Sequence, residues 1–114
     1  KIIRQRAIAI EKIKNAKKIG IIIGMKPGQK FGSADLLKKW FEDQGKEVVV
    51  MTMAEITIDK LTNFYNIEGF VELACPRIAT EDFEKYPKPI ITFKEALVSL
   101  DKMSWQKLLD SGLV

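Results

Sequence analysis

A chain of 114 residues, 46% apolar and 30% charged, is long enough to bury one core and too short to divide into two, which excludes disordered, fibrous and multidomain readings. One cysteine and no histidine exclude an internal disulfide, an ordinary zinc site, a Ser-His-Asp triad and a Cys-His pair within the chain. The net charge of +4 is local: residues 1–18 hold seven basic side chains against one acid, while the rest of the chain holds twelve against fourteen.

The basic segment reads as an amphipathic helix, because Ile3, Ala7, Ile10 and Ile13 recur at helical spacing with Arg and Lys between them. Its charge reads as a solvated face, or else as a contact for RNA or an acidic partner. Ile19-Gly20-Ile21-Ile22-Ile23 follows, a short β-branched run ended by Gly24, the pattern of a strand covered on both faces. Residues 24–32 form a glycine-rich loop, and Ser33 is placed to cap a helix carrying Leu36, Leu37, Trp40 and Phe41 and ending at Gly45. Residues 48–53 predict a second buried strand, and residues 59–64 a short helix. Phe70-Val71-Glu72-Leu73-Ala74 predicts a third strand that stops at Cys75-Pro76-Arg77, since proline cannot continue the ladder. A helical turn over residues 80–84 leads to a brief fourth strand at Pro89-Ile90-Ile91. Thr92-Phe93-Lys94-Glu95 has the spacing of a capping box for a helix through Leu100, and a last helix spans residues 105–110 between Ser104 and Gly112. The paired aromatics Trp40 and Phe41, with Phe64 and Phe70, read as core.

Strand and helix alternate, so the fold class is α/β: one domain over residues 1–114, three layers α/β/α, around a four-stranded parallel sheet of order 2-1-3-4. Ligands of such sheets bind outside the C-terminal ends of the strands where strand order reverses, here between the first and third strands. The glycine loop and Cys75 are both expected there. No apolar run approaches the length of about 18–20 residues that spans a membrane, and the start lacks the layout of a secretory signal, so a cytoplasmic location is expected, without membrane or direct nucleic-acid contact. A start at Lys1 rather than at methionine suggests a piece cut from something longer.

Three side chains are candidates for chemistry. From Gly24 the loop runs Met-Lys-Pro-Gly-Gln-Lys-Phe-Gly-Ser, which matches neither the phosphate-loop pattern nor the dinucleotide fingerprint. It is either a plain tight turn or a backbone able to offer amides to an anion, with Gln29 the side chain for ligand contact. A lone Cys75 is a small buried hydrophobe or, at a strand end followed by Pro76 and Arg77, a ligating or reactive thiol. Arg77 is a surface ion-pairing residue or a planar fork for a carboxylate.

The stretch Glu72-Leu73-Ala74-Cys75-Pro76-Arg77-Ile78-Ala79-Thr80-Glu81-Asp82, continued by Tyr86-Pro87-Lys88-Pro89-Ile90-Ile91-Thr92 and Glu95-Ala96, resembles the C-terminal domain of the diphthamide-synthesis family in its archaeal form. Upstream, Ala7 to Ala16 before the first strand, Gly24 and Gln29 in the loop, and Glu55-Ile56 with Lys60-Leu61 agree in order, so the resemblance covers almost the whole chain. Met25-Lys26-Pro27 stands where the family has a Gly-Thr start. The resemblance implies an enzyme of three similar α/β domains, each giving one cysteine to a single 4Fe–4S cluster, with Cys75 as the third-domain metal ligand. It implies a homodimer that cleaves S-adenosylmethionine to a 3-amino-3-carboxypropyl radical and adds that group to a histidine of elongation factor 2, the first step of diphthamide biosynthesis. Gln29 and Arg77 are then assigned to S-adenosylmethionine, and two upstream domains to the same chain. The other two cluster cysteines are absent here, so this fragment alone is expected to be inactive. The alternatives are a truncated, non-catalytic paralogue that binds the translation factor through its basic first helix, and a flavodoxin-like nucleotide domain, for which the phosphate loop is missing.

Overall fold

A computed structural model describes residues 2–24, 34–53, 58–73 and 88–111. Among these lie α1 (Ile2–Asn15), β1 (Lys18–Gly24), α2 (Ala34–Asp43), β2 (Glu47–Met53), α3 (Ile58–Thr62), β3 (Gly69–Glu72), β4 (Ile90–Ile91), α4 (Phe93–Ser99) and α5 (Trp105–Ser111). The strands form one parallel sheet in the order β2-β1-β3-β4, as the alternation of elements predicts. The helical turn expected over residues 80–84, the capping role of Ser33 and the stop at Gly112 lie outside the described residues.

The sheet is covered unevenly. Ile19, Ile21, Val71, Leu73 and Ile91 share one face and pack with Ile13 of α1, Leu37 and Phe41 of α2, and Ala96 of α4. On the other face Ile22, Met51, Met53, Phe70 and Ile90 meet Leu61 of α3 and the following Ile67. An outer cluster of Ile10, Val98 and Leu108 ties α5 to α1 and α4. Side chains of the size of Phe41 and Phe70, both fully buried, contribute about 1.5–3 kcal/mol each by leaving water. β2 is an edge strand, and its Val49 and Val50 remain exposed on opposite faces.

Local chemistry sets the element ends. Gly45 has φ +84, the left-handed conformation a helix stop requires, and the amides of Gly45 and Lys46 donate to the carbonyls of Glu42 and Phe41 in a Schellman motif. The predicted capping box is present: Thr92 Oγ1 accepts from Glu95 N at 3.2 Å and Glu95 Oε1 accepts from Thr92 N at 2.9 Å. Ser104 Oγ accepts from Lys107 N at 3.1 Å and starts α5. At Gly69 a Cβ would lie 2.5 Å from Ile13 Cδ1 and 3.0 Å from Pro89 Cγ, so a larger residue there would require the Ile13 side chain of α1 to move.

Two expectations for the helices change. The buried stripe of α1 is Arg6, Ala9, Ile10 and Ile13, and Ala7 faces solvent. In α2, Leu37 and Phe41 are buried while Leu36 is exposed and Trp40 half-buried beneath the Lys102 ammonium, 4.6 Å from the ring centroid.

Candidate functional site at the C-terminal edge of the sheet

β1 and β3 are neighbours in register, Ile22 opposite Glu72, and Leu73 N donates to Ile22 O at 2.9 Å, the last ladder bond among the described residues. From β1 the chain passes to α2 and β2 on one side, and from β3 to β4 on the other, so strand order reverses between them. Residues 25–33 and residues 74–87 both depart from this edge, the former at Gly24 and the latter at Leu73. The predicted site residues Gln29, Cys75 and Arg77 belong to those two segments and lie outside the described residues. Among the described residues no group of three or more acidic or cysteine side chains is placed to hold a metal ion.

At the end of β3 stands Glu72, the last residue of the strand, 1% exposed. Strand alternation puts its side chain on the face of Phe70 and Ile22, away from α1, α2 and α4. A carboxylate buried there requires hydrogen bonds or a counter-charge; Glu72 has a contact of its own, while its Oε2 accepts no hydrogen bond from the described residues. Sequence reasoning reaches Glu72 only as part of a motif. The signal that could have singled it out is an acid at the last position of a central strand.

The opposite edge of the sheet is closed by the chain's own charges. Lys46 Nζ donates to Ala16 O at 2.6 Å, Lys14 O at 2.8 Å and Ile13 O at 3.3 Å, satisfying the carbonyls at the end of α1. Burial lowers the Lys46 pKa below its ordinary 10.5, against an upward pull from Glu68. Glu68 Oε1 accepts from the amides of Lys17 and Lys18 where β1 begins, and these bonds hold its carboxyl below the ordinary value of 4.5. Lys88 Nζ donates to Tyr65 O at 2.8 Å and Phe64 O at 3.3 Å.

A second buried polar group lies beside β4. The Arg6 guanidinium donates to Glu95 through Nε at 2.8 Å and a terminal nitrogen at 2.7 Å, and to Ile90 O at 2.6 Å. Arg6, Glu95 and Thr92 are all buried, so one network joins α1, β4 and the capping box of α4. Its groups are bonded to one another and to the backbone. It is a fastening rather than a site.

A parallel sheet with one stitched edge, and with two connections following the other at the switch point, defines the class: a doubly wound α/β domain. The model of the diphthamide synthesis protein family matches residues 1–109, and the chain belongs to that family. It is similar to the 2-(3-amino-3-carboxypropyl)histidine synthase of Pyrococcus horikoshii, 34% identical over 99 residues, covering 86% of this chain and 29% of the relative. With subunit 1 of the Yarrowia lipolytica synthase it shares 35% identity over 98 residues, covering 85% and 22%. Its fold is similar to the crystal structure of Dph2 from Pyrococcus horikoshii with a 4Fe-4S cluster, at a TM-score of 0.77 and 30% identity over 90% of this chain and 29% of that one. The chain thus spans between a fifth and a third of the length of the relatives it matches. No helix of the described residues is long and apolar enough to cross a membrane.

Proposed function

We propose that this chain is the cluster-ligating, C-terminal domain of a cytoplasmic enzyme that transfers a 3-amino-3-carboxypropyl group from S-adenosylmethionine to a histidine of elongation factor 2, the first step of diphthamide biosynthesis. The observation that carries the reading is the family match over residues 1–109, which includes the chain's one cysteine two residues beyond Leu73 at the switch point. The relatives named as the synthase, and the 4Fe-4S cluster of the Pyrococcus Dph2 crystal structure, support the chemistry.

The donor set fits one corner of such a cluster. Fe–S clusters are held by several thiolates, and this chain, with Cys75 and no histidine, supplies one; two similar domains of the same polypeptide, in a homodimer, supply the others. When bound, the cluster supplies the electron that cleaves S-adenosylmethionine to a 3-amino-3-carboxypropyl radical. The chain's own residues bind and orient. Arg77 offers a planar pair of donors suited to the substrate carboxylate, Gln29 an amide from the loop that follows β1, and Cys75 its thiolate.

Replacement of Cys75 by alanine in the full-length protein separates ligation from folding. Transfer of radiolabel from S-adenosylmethionine to elongation factor 2 is expected to collapse, with unfolding free energy within about 1 kcal/mol of wild type, since little packing is lost at a strand end. Near-normal transfer would remove Cys75 from the ligand set, and a large loss of stability would make it a core residue.

A further inference from the structure

We propose that the free edge of β2 is a self-pairing surface, on which a second copy of the chain adds its own β2 in antiparallel orientation about a two-fold axis at Val50. The inference rests on the homodimer of the reading above and deepens it by naming where the two subunits meet.

The two edges of the sheet are built differently. β4 has two residues, Ile90 and Ile91, and Pro89 stands before them, so that edge is short and lacks a donor. β2 has seven, Glu-Val-Val-Val-Met-Thr-Met, and pairs with β1 at every position from Glu47 to Met53 without a bulge. Its one charge, Glu47, sits at the first position and pairs with Lys18 at 3.7 Å. Charges, prolines and bulges keep natural edges from pairing, and residues 48–53 contain none of them.

The direction of the β2 amides follows from one bond. Glu47 N donates to Lys17 O at 2.8 Å, so the amides and carbonyls of Glu47, Val49, Met51 and Met53 turn toward β1, and those of Val48, Val50 and Thr52 turn outward. None of these outward groups bonds to another described residue. Val49 and Val50, on opposite faces, are both exposed, so neither flank of the strand is roofed over.

A second copy is the occupant this pattern fits. The three outward residues are symmetric about Val50, so an antiparallel partner places Val50 against Val50 and Val48 against Thr52, each pair exchanging both its bonds. All are β-branched, the kind of cross-strand pair that strengthens a sheet. The two Glu47 side chains fall at opposite ends of the seam, about 20 Å apart at a rise of about 3.4 Å per residue, so no like charges meet. A two-fold pairing also closes both free edges at once, whereas a strand from another protein would close one.

The test uses the full-length protein and sedimentation over a range of concentrations. Val50→Lys sets like charges against each other at the axis and should weaken association on the order of tenfold or more, and Val50→Glu should do the same. An equal mixture of the two variants should restore association as a mixed pair, which a loss of folding would not allow. Thr52→Pro removes an outward amide and leaves the bonds to β1 in place, so it should weaken association with the urea midpoint unchanged. A monomeric wild type overturns the proposal, as do Val50 variants that associate like wild type, or a mixture no tighter than either variant alone. Should both Val50 variants fail to fold, wild-type association of Thr52→Pro overturns it. Cys75→Ala should sediment like wild type whether or not it transfers the group, so failure of the ligand reading and failure of the seam are separate results.

Discussion

Glu68 gives a single carboxylate a measurable signature in the pH dependence of stability. The amides of Lys17 and Lys18, first of all, hold its pKa below the ordinary 4.5, so the folded state binds its proton less readily than the unfolded chain does. Its contribution is therefore fully present above the unfolded value and is lost as pH falls through the depressed folded value. The gap in urea midpoint between wild type and Glu68→Gln should be full at neutral pH and narrow below 4.5. A gap that persists unchanged to about pH 2 would mean that the carboxylate's charge is not what those amides bind. Lys46 behaves differently: its pKa is lowered by burial, so its charged form is disfavoured by folding, and its value to the structure lies in three carbonyls it satisfies.

Among the elements, α1 and α4 are joined by a buried ion pair between Arg6 and Glu95. Removing one partner of a buried ion pair leaves a stranded charge at a cost of about 3–5 kcal/mol, whereas apolar replacement of both is far milder. Arg6→Met should therefore destabilise the domain by that amount, and adding Glu95→Leu should recover most of it, less about 1 kcal/mol for the lost capping box. Urea unfolding of both variants decides; additive losses would show that the two side chains do not act as a unit. The same elements show what was readable beforehand. The sheet order, the capping box at Thr92 and the stop at Gly45 were legible because each is written in adjacent residues or in the order of elements. Arg6 was not, because a charge on a basic helix reads as solvated and its partner lies 89 residues away. Glu72 was read only as part of the third strand and of a family motif, because nothing in adjacent residues marks an acid as buried on a strand covered on both faces.

For the whole molecule, the described residues form a core of their own, and the sequence holds one cysteine. The core closes on both faces of the sheet from this chain's own residues, and Cys75 is a single thiolate. The isolated domain should therefore unfold cooperatively and stay colourless, and a stoichiometric, EPR-active cluster formed by it after anaerobic reconstitution would contradict ligand sharing among domains. The fastening between Arg6 and Glu95 also bears on how such a domain is made. A ribosome delivers α1 first, and Arg6 then waits for almost the entire domain to emerge before its carboxylate arrives. Until then the inward stripe of α1 carries a charge that resists burial. The late arrival of Glu95 makes completion of the domain the event that licenses its first helix to dock.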